Sequence, residues 1–271
     1  MKDLTNTTFI IPVKIEHPDR YRNAKTVLNY LNQHFCTQVF IYEISNSGKN
    51  QTELDFLAGL ENLTIKHWVE KLEPAFHRTK YLNIMLNEVQ TPVVANYDID
   101  VILSPRNYFA CQEEILAGSV KVIYPYELGR GQVQVHQVFD HKEFAKSHYD
   151  LDYVHFSGKF NLNDSECGHC VFFDTKEYKK HGGENEGFIS YGPEDKERLM
   201  RFKSLTESVI WKKGERVYHF EHYRGQDSNH ENFYFSSNWS LFNELKSKSK
   251  EELALYYQEQ DYLKKYPNFI T

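Results

Sequence analysis

Apolar positions along the first half of the chain fall into blocks with two periods. Thr8-Phe-Ile-Ile-Pro-Val13 is a continuous apolar run, as in a strand buried on both faces, and the polar stretch from Lys14 to Asp19 ends it. From Arg20, the residues Ala24, Val27, Leu28 and Leu31 recur at helical spacing until about Phe35. Gln38 to Ile44 reads as a second strand, closed by Ser45-Asn-Ser-Gly48. The pattern then predicts a helix over Glu53 to Leu60, a short strand over Leu63 to His67, and a helix over Arg78 to Val89. That helix leads into Val93 to Tyr97, a strand opened by Pro92 and closed by Asp98-Ile-Asp100. A helix over Pro105 to Leu116 and a strand over Val120 to Tyr124 continue the alternation. Strands alternating with helices predict an α/β fold with a mostly parallel sheet flanked by helices. Ligands of such sheets collect beyond the carboxyl ends of the strands, where Asp98 and Asp100 stand.

The pattern breaks after Tyr124. Glu127 to Glu166 is polar and rich in Gly, His and Tyr, with broken periodicity at Val133, Val135 and Val138. Such a stretch predicts a long irregular segment, a candidate lid or binding surface. A strand over Val171 to Phe173, a helix over Lys176 to Lys180, a helix from about Glu194 to Phe202 and a last strand within Trp211 to Phe220 follow. From Leu241 the spacing of Leu245, Leu253, Tyr256 and Tyr257 predicts an amphipathic helical extension. The expected division is a main domain over residues 1–240 and a C-terminal extension over 241–271.

Composition narrows the picture. With 271 residues, 40% of them hydrophobic and 15% aromatic, the chain can bury a substantial core. A net charge of -6 with interspersed signs argues against a nucleic-acid surface. No apolar run approaches the roughly 20 residues of a membrane-spanning helix. The first residues lack the hydrophobic region of a signal peptide, and the four cysteines are too scattered for a disulfide framework. These features predict a cytoplasmic protein, with peripheral membrane association left open.

Several clusters could carry chemistry. On an extended chain Asp98 and Asp100 point to the same side, a hard oxygen pair suited to Mg²⁺ or Mn²⁺ shared with substrate phosphates. The same pair also reads as two turn-forming acids capping a strand. Cys167-Gly-His-Cys170 copies a redox spacing, but an apolar strand follows it where a helix start is needed. Zinc would lack a second close-spaced cysteine pair, although His155 or His169 could contribute. His219 and His222, three apart, could reach one ion from a turn. Glu194 and Asp195 open a helix, either as acids complementing its dipole or as a general base at a cleft.

Taken in order, Phe76-His-Arg78-Thr-Lys80-Tyr-Leu82-Asn83, Asp98-Ile-Asp100, Gly183-Glu-Asn185-Glu186, Tyr191-Gly192-Pro-Glu194-Asp195 and His219-Phe-Glu-His222 form a series. From about Phe9 to Arg224 it resembles the β-1,4-galactosyltransferases and their bacterial relatives, metal-dependent enzymes of the GT-A fold. The resemblance implies a nucleotide-binding half followed by an acceptor-binding half. It places Pro12, Glu43, Phe76, Arg78, Lys80, Asp98, Asp100 and Tyr191 with the UDP-sugar, and Asp100, His219 and His222 on Mn²⁺ or Mg²⁺. His219 stands where the family has methionine, and Tyr191-Gly-Pro departs from the family's Trp-Gly-Gly. Glu166 aligns with a tyrosine that influences the choice of donor sugar.

The implied reaction is inverting transfer of a hexose, of galactose or N-acetylgalactosamine type, from a UDP-sugar to a hydroxyl of a glycan or glycolipid acceptor. Asp195 would be the general base and Glu194 would position the acceptor. Surface polysaccharide synthesis is the setting suggested by analogy. A nucleotidyltransferase of similar fold and a catalytically silent nucleotide-sugar-binding domain are the alternatives.

Overall fold

A computed structural model describes residues 2–71, 73, 75–206, 208–225 and 229–269. The continuous apolar runs become the middle of a seven-stranded sheet. Its strands are β1 (Lys2–Lys14), β2 (Phe35–Ser45), β3 (Leu63–Lys71), β4 (Val93–Tyr97), β6 (Val122–Tyr124), β9 (Cys170–Asp174) and β10 (Val209–Trp211), in the order β10-β6-β9-β4-β1-β2-β3. Every neighbouring pair is parallel except those of β9, which runs antiparallel to β4 and β6. Helices α1 (Pro18–His34), α2 (Arg78–Glu88) and α3 (Pro105–Leu116) pack against it. Coverage by helices explains why Phe9, Ile10, Ile11, Val39, Ile41, Val94 and Ala95 form an unbroken apolar core with no polar alternation.

A second sheet of four strands, in the order β5-β11-β7-β8, joins β5 (Val101–Leu103), β7 (Gly129–Val135), β8 (Phe160–Ser165) and β11 (Val217–Phe220). Here the irregular segment expected over Glu127 to Glu166 is corrected. Its residues form β7, α4 (His141–Lys146), α5 (Leu151–Ser157) and β8. Asp140 and Asp150 cap the two short helices through their carboxylates, and Gly158 ends α5 in the left-handed region at φ 60°. Helices of six and seven residues are too short to show a period in sequence. The buried side chains of Gln132 and Gln134 hide the strand character of β7.

Two further expectations change. The segment Glu53 to Leu60 holds only a 3₁₀ turn over Leu57–Gly59, because the buried Glu43 carboxylate draws in the Thr52 hydroxyl (2.7 Å) and the Glu53 amide (2.6 Å). The last strand expected within Trp211 to Phe220 is β11, and an unexpected short strand of the other sheet, β10, precedes it across a turn at Gly214 with φ 77°.

Helix α6 (Thr175–Lys180) and helix α7 (Glu194–Thr206) follow β9. The chain closes with α8 (Phe235–Lys246), α9 (Lys250–Gln258) and two 3₁₀ turns. The division expected at 240/241 therefore falls inside α8. Phe188, Phe242, Leu245, Leu253 and Tyr257 make a small second apolar cluster beside α7. Among the described residues no helix is long and apolar enough to cross a membrane.

Candidate functional site

The strand order locates the site. From β1 the chain moves outward through β2 and β3, then returns to place β4 on the other side of β1, so the order reverses between β1 and β4. Pairing of β1 with β4 ends at Ile10↔Asn96, while β1 runs on beside β2 to Lys14. The two strands part there, and a crevice opens at their carboxyl ends. Pro12 lies just past the last β4 pair, where its missing N–H leaves no bond unmade on that side. A cleft of about 290 Å³ occupies this place, lined by Pro12, Phe76, Arg78, Asp98, Asp100, Tyr191, Glu194, Asp195, His219 and His222.

The backbone turns at Asp98 to Asp100, anchored by the Asp98 amide donating to the His169 carbonyl at 2.9 Å. The two acids therefore take separate partners rather than the common strand face expected of them. Asp98 Oδ1 accepts from Arg78 Nη2 at 2.7 Å, and the same nitrogen donates to Asn96 Oδ1 at 3.1 Å. Arg78 Nη1 is buried without a hydrogen-bond partner, 3.7 Å from Asp195 Oδ1. It is a donor held ready for an anionic ligand.

Asp100 meets the histidines because β5, which follows it at once, pairs antiparallel with β11, setting Val101 opposite His219. The Phe220 amide donates to the Asp100 carbonyl at 2.9 Å, and Asn23 of α1 holds the Phe220 and Glu221 carbonyls at 3.1 and 3.2 Å. Asp100 Oδ1 lies 3.6 Å from His219 Nε2, and Oδ2 lies 3.0 Å from His222 Nε2. Ligand atoms of all three residues fall within 4.8 Å of one another. One carboxylate with two imidazole nitrogens is a donor set that fits a divalent transition ion.

The histidines differ in charge. Burial drives His219 down to about 3, so it is neutral. At His222 burial opposes the proton, but the Asp100 carboxylate outweighs it and raises the pKa above its ordinary value. His222 Nδ1 donates to the Tyr223 carbonyl at 2.7 Å while Nε2 faces Asp100, which fits an imidazolium. That proton must leave before Nε2 can ligate a metal. Burial also works against the charge on Asp100, yet the surrounding imidazoles and Arg20 hold it well below the usual carboxylate range.

The opposite wall is the start of α7. Asn238 of α8 pins the loop before it, donating to the Ile189 and Tyr191 carbonyls at 2.7 and 3.0 Å. Tyr191 stacks on Phe235 with ring centroids 5.9 Å apart. Asp195 Oδ1 accepts a short bond from Arg198 Nη2. Its Oδ2 looks toward Gly168, where an added Cβ would stand only 3.0 Å away and φ is 96°. Only glycine fits both constraints. Burial raises the Asp195 pKa, but Arg198 and Arg78 more than offset it, so the group is ionised.

Glu194 behaves oppositely. It is 8% exposed, its Oε2 has no partner, and burial together with the Asp195 charge pushes its carboxyl up to about 8. At neutral pH it is a carboxylic acid that can donate to a substrate oxygen. An unfolded glutamate ionises near 4.5, so the native state holds the extra proton between there and about 8, and stability falls as pH rises through that window. Glu194→Gln is therefore expected to melt close to wild type at pH 4 and at least about 4 °C above it at pH 8.5. Melting curves with the same gap at both pH values would refute this.

Two expected residues are elsewhere. The Glu43 carboxylate, fully buried, is occupied by Thr52, Glu53 and His67 and does not line the cleft. Its strand β2 lies on the side of β1 away from the crevice. Lys80 pairs with Glu73 at 3.1 Å, because positions two apart on a helix do not share a face with Arg78. The Gly183 to Glu186 motif also stays outside the cleft. Asn83 of α2 clamps Glu184 by its carbonyl (2.8 Å) and amide (2.7 Å), and Glu184 Oε1 accepts from Arg198 Nε at 2.7 Å.

Sequence reasoning missed Arg198, visible only as a basic residue three places after Asp195. It also missed Arg20, whose Nη1 lies 3.8 Å from Asp100 Oδ2, and the cleft-lining roles of Gly168 and His169. Cys111, Cys167 and Cys170 are free thiols. Burial pushes the Cys167 thiol up to about 12, the reverse of what a redox cysteine needs.

No protein-family model and no curated protein sequence matches the chain. Solved structures do. S. aureus TarS superposes on 93% of this chain and 42% of its own, with TM-score 0.55 and 13% identity. The 1–349 form of TarS in complex with UDP covers 95% of this chain and 72% of its own, with TM-score 0.54 and 13% identity. Drosophila β1,4-galactosyltransferase 7 in complex with xylobiose overlaps more loosely, at TM-score 0.40 and 12% identity over 77% of this chain and 65% of its own, and bears no weight. This chain therefore spans less than half the length of the full TarS chain. The fold is α/β of GT-A type, with a mostly parallel sheet flanked by helices.

Proposed function

We propose that this chain is a metal-dependent inverting glycosyltransferase that moves a hexose, of galactose or N-acetylgalactosamine type, from a UDP-sugar to a hydroxyl of a glycan or glycolipid acceptor. The observation that carries the reading is the joining of an Asp100–His219–His222 ligand set and the Glu194–Asp195 pair in one cleft at the switch point of a GT-A sheet. TarS, of the same fold, has been solved with UDP. The catalytic unit ends before α8, and α8 and α9 form a helical brace against α7. Surface polysaccharide synthesis is the proposed setting.

The residues divide the work by charge. Phe76 and Tyr191 offer aromatic faces to the nucleotide and a sugar, and Asp98 sits with the ribose. The free Nη1 of Arg78 donates to the diphosphate. Asp100, His219 and His222 would hold a divalent ion, which when bound would supply positive charge against the diphosphate. Asp195 Oδ2 takes the proton of the acceptor hydroxyl as its oxygen bonds to the anomeric carbon and the bond from that carbon to the UDP oxygen breaks. The neutral Glu194 orients the acceptor by donating a hydrogen bond. Attack from the face opposite UDP inverts the centre, giving a β-linked product from an α-linked donor.

A screen of UDP-sugars against pooled glycan acceptors, with and without Mn²⁺, tests this. Expected is Mn²⁺-dependent release of UDP, strongest with UDP-galactose or its N-acetyl analogue, and a β-anomeric signal in the product NMR spectrum. Pyrophosphate in place of UDP would assign the cleft to nucleotidyl transfer, and UDP binding without release would make it a silent binding domain.

A further inference from the structure

Gln134 on β7 stands opposite His219 on β11, one strand behind the cleft. Its amide nitrogen donates to the His219 carbonyl at 3.3 Å, and its Oε1 lies 2.9 Å from His219 Nδ1. A backbone carbonyl can only accept, so the first contact fixes which end of the amide is nitrogen. The oxygen must then face Nδ1, and only a protonated Nδ1 can bond to it. Gln132, two places earlier on the same strand, donates its Nε2 to that same oxygen at 2.5 Å. All three side chains are buried, with exposures of 7% for Gln132, 9% for Gln134 and 7% for His219. In such surroundings a mismatched donor or acceptor is costly, so the chain of bonds has one stable polarity.

That polarity determines the other side of the ring. With the proton on Nδ1, Nε2 keeps its lone pair, and it is Nε2 that faces Asp100 Oδ1 at 3.6 Å, too far for a hydrogen bond. We propose that Gln134 is a positioning residue that locks His219 in its Nδ1–H tautomer and so holds Nε2 ready to ligate a divalent cation, with Gln132 locking the amide in turn. Metal-binding histidines commonly donate their second N–H to an oxygen acceptor, which fixes both ring orientation and ligand basicity. The acceptor here is a neutral amide, itself oriented by a second amide. His222 is served by the Tyr223 carbonyl, so its tautomer does not depend on the relay.

This inference rests on the metal reading of Asp100, His219 and His222, and its test separates the two. Nitrogen-15 NMR of the metal-free protein reports the His219 tautomer with no donor, acceptor or ion present. Expected is a protonated Nδ1 in the wild type and a mixture of tautomers in Gln134→Leu. Titration with Mn²⁺ alone, following free Mn²⁺ by electron paramagnetic resonance, is expected to show a 10- to 100-fold weaker site in Gln134→Leu, the usual cost of losing such a partner, with Gln132→Leu between it and wild type. A wild-type His219 protonated on Nε2 would overturn the proposal whether or not the variants fold. So would Mn²⁺ affinity within twofold of wild type in a folded Gln134→Leu. Failure of glycosyl transfer with the relay intact would overturn only the reaction assigned above.

Discussion

Asp195→Asn is expected to lose about 10²- to 10⁴-fold in the rate of UDP release, the contribution of a positioned general base, while UDP binding in the presence of Mn²⁺ stays within about twofold of wild type. The substitution is nearly isosteric. An Asn Oδ1 can still accept from Arg198, and Arg78 keeps its bond to Asp98, so neither arginine is left without a partner. What disappears is a proton acceptor at the atom beside Gly168. The split between turnover and binding makes the outcome diagnostic, since Arg78 and Asp98, proposed to face the nucleotide, and the proposed ligand set around Asp100 are untouched. Initial rates of UDP release with isothermal titration of UDP measure both quantities on one preparation. A variant keeping more than a tenth of wild-type turnover would remove Asp195 from the base role.

The fold was legible wherever burial is apolar and on both faces. Val93–Tyr97 and Pro105–Leu116 form the strand and helix that their hydrophobic patterns predict, because most of their buried positions are apolar. Legibility stopped at β7, whose inward positions include Gln132 and Gln134, polar residues buried to hold His219 rather than to fill a core. The same cause hid Arg198 and Glu184, a charged pair whose burial no local pattern announces. Cleft residues were legible as motifs because they cluster at strand ends and helix starts. Glu43 was misplaced because sequence does not say on which side of β1 its strand lies, and Lys80 because a motif spaced by two on a helix points its members apart.

Those buried charges connect Asp195 to the rest of the molecule. Glu184 is held by Asn83 of α2 and receives Arg198, the Tyr178 hydroxyl and Asn96 Nδ2. Asn96 in turn accepts from Arg78. One turn along α7, Arg201 binds Glu197, which also accepts from Tyr257 of α9 at 2.5 Å. The C-terminal helices thus fasten the same face of α7 that carries Arg198, and α8 pins the loop that carries Tyr191. The acid pair is presented by a helix anchored at both its start and its buried side.

Arg198→Met should consequently be among the most damaging substitutions away from the cleft. Both Arg198 and Glu184 have side chains only 1% exposed, and removing one partner of a buried pair leaves an uncompensated charge, at a cost of about 3–5 kcal/mol. For a chain of this size that lowers the melting temperature by roughly 6–20 °C. Adding Glu184→Gln removes the stranded charge, so the double variant is expected to recover most of the stability. It is not expected to recover turnover, because Asp195 Oδ1 still lacks the Arg198 guanidinium that orients the proposed base. Thermal melts and UDP-release rates on the single and double variants separate the two roles. A double variant as active as wild type would show that Arg198 serves the fold alone. A single variant losing less than about 1 kcal/mol would show that Glu184 finds another partner within the same network.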